Sequence, residues 1–124
     1  MAPSCNGLGN GVFLHNGSLR FVGVGDGLSQ TIFVGERHSL VDFSTWVGVV
    51  HGAKHPIARI MGTAMWPPNS KKQTFEIFSS KHPDGAQFVF GDCAVHFLHN
   101  SIDAEVFMAL STRNNGELVS ADKY

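Results

Sequence analysis

Seven histidines in 124 residues make metal coordination the first chemistry to weigh. His51 and His55 stand four apart, a spacing that chelates an ion from one face of a helix. Gly52 and Pro56 oppose a helix at that point. His96 and His99 stand three apart, which on a continuous strand sends their rings to opposite sides. His82 and Asp92 bracket an apolar run. In a regular hairpin Asp92 lies at the tip and His82 near the base, ~30 Å apart at about 3.3 Å per residue. The histidines are therefore read as polar or capping groups, with no metal ligand and no cofactor assigned.

The carboxylates and the cysteines come next. Asp26 and Glu36, if paired, would suit acid–base work or Ca²⁺ binding. The simpler reading makes Asp26, with Ser29, a cap and turn, and Asp92 a turn residue accepting local backbone N–H bonds. Glu36 and Arg37 are adjacent on a predicted strand and point to opposite faces. One of them is expected to be buried and paired elsewhere, Glu36 with Arg20 or Arg113. Cys93 beside a histidine would be a nucleophile, but between Phe90 and Val95 it reads as a core residue. Cys5 and Cys93 allow one disulfide or two free thiols. Trp46 and Trp66, near Pro67 and Pro68, offer a surface for a sugar ring or a partner subunit, or else belong to the core. The chain carries no Gly-x-Ser-x-Gly, Walker-type loop or Cys-x-x-Cys.

Composition narrows the function classes. Hydrophobic residues make up 43% and charged residues 15% of the chain, against a usual charged share of about 25%. Weakly charged surfaces are poor at keeping molecules apart, so self-association is expected. The net charge is −1 and the longest basic run is Lys71-Lys72, which argues against a nucleic-acid groove. No apolar stretch approaches the ~20 residues that span a bilayer. The N-terminus has neither the basic start nor the apolar core of a signal peptide. The length fits one domain, residues 1–124.

The elements that must position these residues are short. Most of the 14 glycines precede Gly62, which favours strands and turns over long helices. Residues 11–15 and 18–24 read as a hairpin about Asn16-Gly17. Residues 31–37, 46–50 and 58–61 read as further strands, and residues 118–120 as a returning edge strand. A two-residue turn at Gly91-Asp92 would pair Phe90 with Cys93, Phe88 with Val95 and Ala86 with Phe97 on one buried face. Gln87 and His96 would share the other. Asp103 is placed to cap a helix over residues 104–111, with Val106, Phe107 and Leu110 on its inner face and Glu105 outward. Asn114-Asn115-Gly116 would end it.

His82, nine residues, then Asp92 resembles the His-nine-Asp-Gly signature of prepilin-type, pilin-like proteins of domain-of-unknown-function family 1559. The first segment (Asn10 to Phe13, with Arg20-Phe21) resembles that family's first hairpin. Asp26-Gly27-Leu28-Ser29-Gln30-Thr31 through Gly35-Glu36-Arg37 resembles its central block. Ser101-Ile102-Asp103 and the stretch from Leu110 to Asp122 resemble its C-terminal end. The resemblance covers nearly the whole chain, in order. It implies an exported protein related to type IV pilins and pseudopilins, and it transfers no catalytic residue. Two departures stand out. The prepilin leader and long apolar N-terminal helix of the family are absent from this sequence, and Cys93 stands where the signature has glycine.

The expected fold is α+β: a mostly antiparallel twisted sheet of about six strands with one short C-terminal helix. The expected function is a non-catalytic structural subunit of an extracellular or cell-surface assembly, self-associating into a homo-oligomer or filament. The alternatives are a carbohydrate- or calcium-binding module, with a cell-surface glycan as partner, and a small hydrolase.

Overall fold

A computed structural model describes residues 9–14, 16–38, 52, 60–72 and 76–124. The protein is α+β. Three strands, β1 (Ile32–Gly35), β2 (Gly85–Phe90) and β3 (Val95–His99), form an antiparallel sheet in the order β1-β2-β3. One short helix, α1 (Ala104–Ala109), follows. Single 3-10 turns occupy Phe21–Gly23, Leu28–Gln30 and Ala121–Lys123. No helix among the described residues is long and apolar enough to cross a membrane.

The alternation Ala86, Phe88, Phe90 puts three fully buried side chains on the inner face of β2. Asp103 starts α1 as the sequence predicts: its side chain accepts N–H bonds from Glu105 at 2.8 Å and Val106 at 3.2 Å. The helix lays Phe107 and Leu110 onto the sheet, both fully buried, each contributing roughly 1.5–3 kcal/mol relative to exposure. Phe78, Phe88 and Phe107 pack edge to face, with centroids 5.2–6.3 Å apart. At the other end of β2, Tyr124 stacks on Phe90 and His96 meets both rings.

The β2–β3 turn is one residue longer than a two-residue hairpin would make it. Phe90 N–H donates to the Ala94 carbonyl and Cys93 N–H to the Phe90 carbonyl, both at 2.9 Å. Gly91, Asp92 and Cys93 form the loop, with Cys93 in the left-handed region at φ 69°. The extra residue shifts the return strand by one position, which exchanges its faces. The register is Ala86 with Leu98, Phe88 with His96 and Val89 with Val95. Leu98 and His96 therefore point inward. Val95 and Phe97, expected inside, are 59% and 39% exposed. Cys93, also expected in the core, is an exposed free thiol.

The N-terminal third departs from the predicted hairpin. Asn16 does turn the chain at φ 55°, but residues 17–24 run as irregular backbone and a 3-10 turn rather than a paired strand. Bonds to the C-terminal loop take the place of a ladder. Arg113 donates from its guanidinium to the Gly9 and Gly11 carbonyls and from its backbone to Asn10. Residues 118–120 are likewise unpaired, with only Val119 buried among them. Residues 46–50 and Ala58-Arg59 lie outside the described residues, and Ile60-Met61 form no strand. The expected six strands are thus three among the described residues.

Candidate functional site

The residues singled out in the sequence fall into three separate clusters. The first is built on Asp26. Its carboxylate is buried and accepts the backbone N–H of Asn115 at 2.9 Å and of Gly116 at 2.8 Å. Its own N–H donates to the Arg113 carbonyl. Asp26 is therefore not a local cap, and Leu28–Gln30 has no side-chain cap. It is a clamp joining the turn at residues 25–27 to the loop after α1. Gly27 makes the reversal possible at φ 97°. Fully buried Thr31 secures it by donating to the Gly27 carbonyl at 2.9 Å.

The second cluster lies where β1 ends. Glu36 continues the sheet by donating its N–H to the Gln87 carbonyl at 3.1 Å. Its carboxylate accepts Gln87 N–H at 2.7 Å through Oε2, and Oε1 stands 3.5 Å from His82 Nε2. Both side chains are part-exposed. His82 also meets the Phe97 ring at 6.0 Å. The expected partners of Glu36, Arg20 and Arg113, are not used, because Arg113 is committed to residues 9–11. Arg37 turns the other way and donates to the Met61 and Glu76 carbonyls at 2.8 and 3.2 Å. Burial pulls its pKa below the usual arginine value, and nearby Glu76 acts in the opposite direction. Gly35 supports both residues from below: a Cβ there would meet the Phe88 and Phe78 rings at 2.5 and 2.7 Å.

The third cluster is the hairpin tip. Asp92 accepts Ala94 N–H at 2.9 Å, as a turn residue should. His82 and Asp92 lie at opposite ends of the hairpin, with β2 between them, and each has its own partner. Asp26 and Glu36 likewise bond to different segments. His96 and His99 take opposite faces of β3, His96 against Phe90 and Tyr124, His99 against Phe97. No three His, Cys, Asp or Glu side chains come together among the described residues. Trp66 is half-buried, and the Lys72 ammonium sits 3.7 Å over its ring. Trp46, Cys5, His51 and His55 lie outside the described residues.

One structural residue escaped the sequence reading. Asn69, at φ 57°, donates to Asn100 Oδ1 at 2.8 Å and to the Gly85 carbonyl at 3.3 Å. Its Oδ1 accepts Ser80 N–H at 2.8 Å. It latches the proline-bounded loop to the base of the hairpin. The signal was present: asparagine is among the few side chains at ease with positive φ.

A family model described as protein of unknown function, DUF1559, matches residues 4–105. The chain belongs to the DUF1559 family. No curated protein and no solved structure matches it. The matched span of this DUF1559 chain takes in Asp26, Glu36, His82, Asp92 and Cys93. The loop held by Asp26 follows that span. Within that span Asp26, Glu36 and Asp92 accept backbone N–H bonds, at a turn, a strand end and a hairpin tip.

Proposed function

We propose that this DUF1559 domain is a non-catalytic, pilin-like structural subunit of an extracellular or cell-surface assembly, built by contact between copies of the chain. The observation that carries this reading is the outer face of the sheet. Val34, Val89 and Val95 lie in one row across all three strands, and all three are exposed. The register slips between Ile32 and Val34, and such a bulge turns Phe33 and Val34 to the same side. Phe33 then continues the row to Phe13 and Phe21, whose rings are each 6.3 Å from it. Phe13, Phe21 and Val22 are 58%, 68% and 88% exposed.

Phe97 on β3 adds to this face at 39% exposure, and exposed apolar patches on a folded chain mark sites of contact with a partner. A chain with 15% charged residues has little repulsion to oppose such contacts. The Glu36 and Asp26 carboxylates are occupied in holding backbone segments, and the His82, His96 and His99 rings pack against aromatic side chains.

Light scattering and negative-stain microscopy over a wide concentration range test the proposal. Filaments, sheets or closed oligomers are expected as concentration rises. A strict monomer that binds Ca²⁺ or glycans saturably would displace this reading in favour of a binding module.

A further inference from the structure

We infer that the contact between copies is made by β3, which pairs edge to edge with β3 of a second copy, antiparallel and centred on Phe97. The inference rests on the assembly reading above and specifies its geometry.

The bonds fix which backbone groups of β3 face outward. Ala94 and Asn100 bond to the preceding strand, through Phe90 N–H to the Ala94 carbonyl and Asn100 N–H to the Asp84 carbonyl. By alternation His96 and Leu98 also face β2, leaving Val95, Phe97 and His99 turned outward. Among the described residues β3 pairs only with β2, and of these outward groups only the His99 carbonyl has a backbone partner, Ile102 N–H. The opposite edge is tied to other segments at both ends of β1. Ile32 N–H donates to the Leu110 carbonyl at 2.7 Å, and the Glu36 carbonyl accepts Ser79 N–H at 3.0 Å. Among the described residues β3 is therefore an open edge of the sheet.

Open edges are ordinarily blunted by lysine, proline or an inward charge. The edge Val95-His96-Phe97-Leu98-His99 has no Lys, Arg, Asp, Glu or Pro. Two copies brought together there set no formal like charges opposite one another, which would otherwise oppose pairing. The outward groups are also symmetric about Phe97. A two-fold axis through it lets the two Phe97 residues exchange both backbone bonds and places Val95 of one copy opposite His99 of the other. On the outer face the same axis joins two sets of rings, since Phe97 already meets His82 at 6.0 Å and His99 at 5.3 Å. The valine row of each copy then ends against His99 of the other.

Amide hydrogen exchange of the full chain, in dilute and in concentrated solution, reads the inference directly. The Val95 and Phe97 amides are expected to exchange fast when dilute and to become protected with concentration. Two variants support the reading by sedimentation. Val95→Pro removes an outward N–H without touching the β2 ladder, and Phe97→Lys places a charge at the axis. Each should weaken association by about tenfold or more, while Val22→Lys, away from the edge, should weaken it less. Association of the wild-type chain with unprotected Val95 and Phe97 amides, or undiminished association of both edge variants, would overturn the β3 pairing and leave the assembly reading standing. A wild-type chain that stays monomeric at every concentration would overturn both.

Discussion

Cys93 N–H donates to the Phe90 carbonyl at 2.9 Å, and closing that turn holds the cysteine at φ 69°. The position belongs to glycine on steric grounds, because a Cβ in the left-handed region crowds the neighbouring carbonyl at a cost of roughly 1–2 kcal/mol. It is also where the resemblance to the His-nine-Asp-Gly signature puts glycine. Cys93→Gly should therefore stabilise the protein by about 1 kcal/mol, the gain being trimmed by the extra freedom of glycine in the unfolded chain. Thermal unfolding followed by circular dichroism should show a melting temperature higher by a few degrees. Cys93→Ala keeps the Cβ and should show no such rise. An equal rise in both variants would trace the effect to the thiol and refute the strain argument.

Asp26 joins two segments 89 residues apart in sequence. Replacing it by asparagine leaves one oxygen to meet two backbone N–H donors and turns an NH₂ group toward the other. Hydrogen bonds to a charged acceptor and buried unsatisfied donors each count for roughly 1–3 kcal/mol, so Asp26→Asn should cost about 2–3 kcal/mol. Urea unfolding measures this. A loss below about 0.5 kcal/mol, the usual range for a surface substitution, would remove Asp26 from the stabilising set.

The sequence made the inner face of β2, the cap at Asp103 and the burial of Phe107 and Leu110 legible, because alternation, capping chemistry and helical spacing are local signals. The β2–β3 register was not. A two-residue and a three-residue loop differ by one amide bond, and the choice was decided against the cysteine's own steric preference by the fit of Leu98 and His96 beneath the sheet. The clusters show the same division. That Asp92 is a turn acceptor follows from its neighbours in sequence. That Asp26 reaches Asn115 and Glu36 reaches Gln87 and His82 are long-range facts, carried by no spacing in the chain. The first hairpin failed for a related reason: Arg113 and the Asn16 turn redirect backbone groups that a local reading assigns to a ladder.

Gly35 presses directly on the core. Its missing Cβ leaves room for the edges of Phe88 and Phe78, and Phe88 is fully buried and locked against Phe107. Gly35→Ala should cost about 1–3 kcal/mol, the usual penalty for overpacking. Gly11→Ala, where a Cβ would meet nothing within 4 Å, is the matched control and should be nearly neutral. Chemical denaturation of both variants decides the matter, and equal costs would show that backbone entropy rather than core space is responsible.

The contact between Glu36 and His82 is the most reaction-like feature among the described residues, a carboxylate 3.5 Å from an imidazole. Its energetics should nonetheless be those of a surface pair. Both side chains are part-exposed, and water screens such contacts to about 0.2–1 kcal/mol. The Glu36 carboxylate does more through its other oxygen, which takes the Gln87 N–H at 2.7 Å and ties the end of β1 to β2. A double-mutant cycle with Glu36→Ala and His82→Ala, read by urea unfolding, should give a coupling under about 1 kcal/mol, with the glutamate variant the costlier of the two singles. Coupling well above 2 kcal/mol would mean that the pair is far better shielded than its exposure allows. The His82 half of the signature would then have to be explained by something other than the packing of Phe97 and the closure of a strand end.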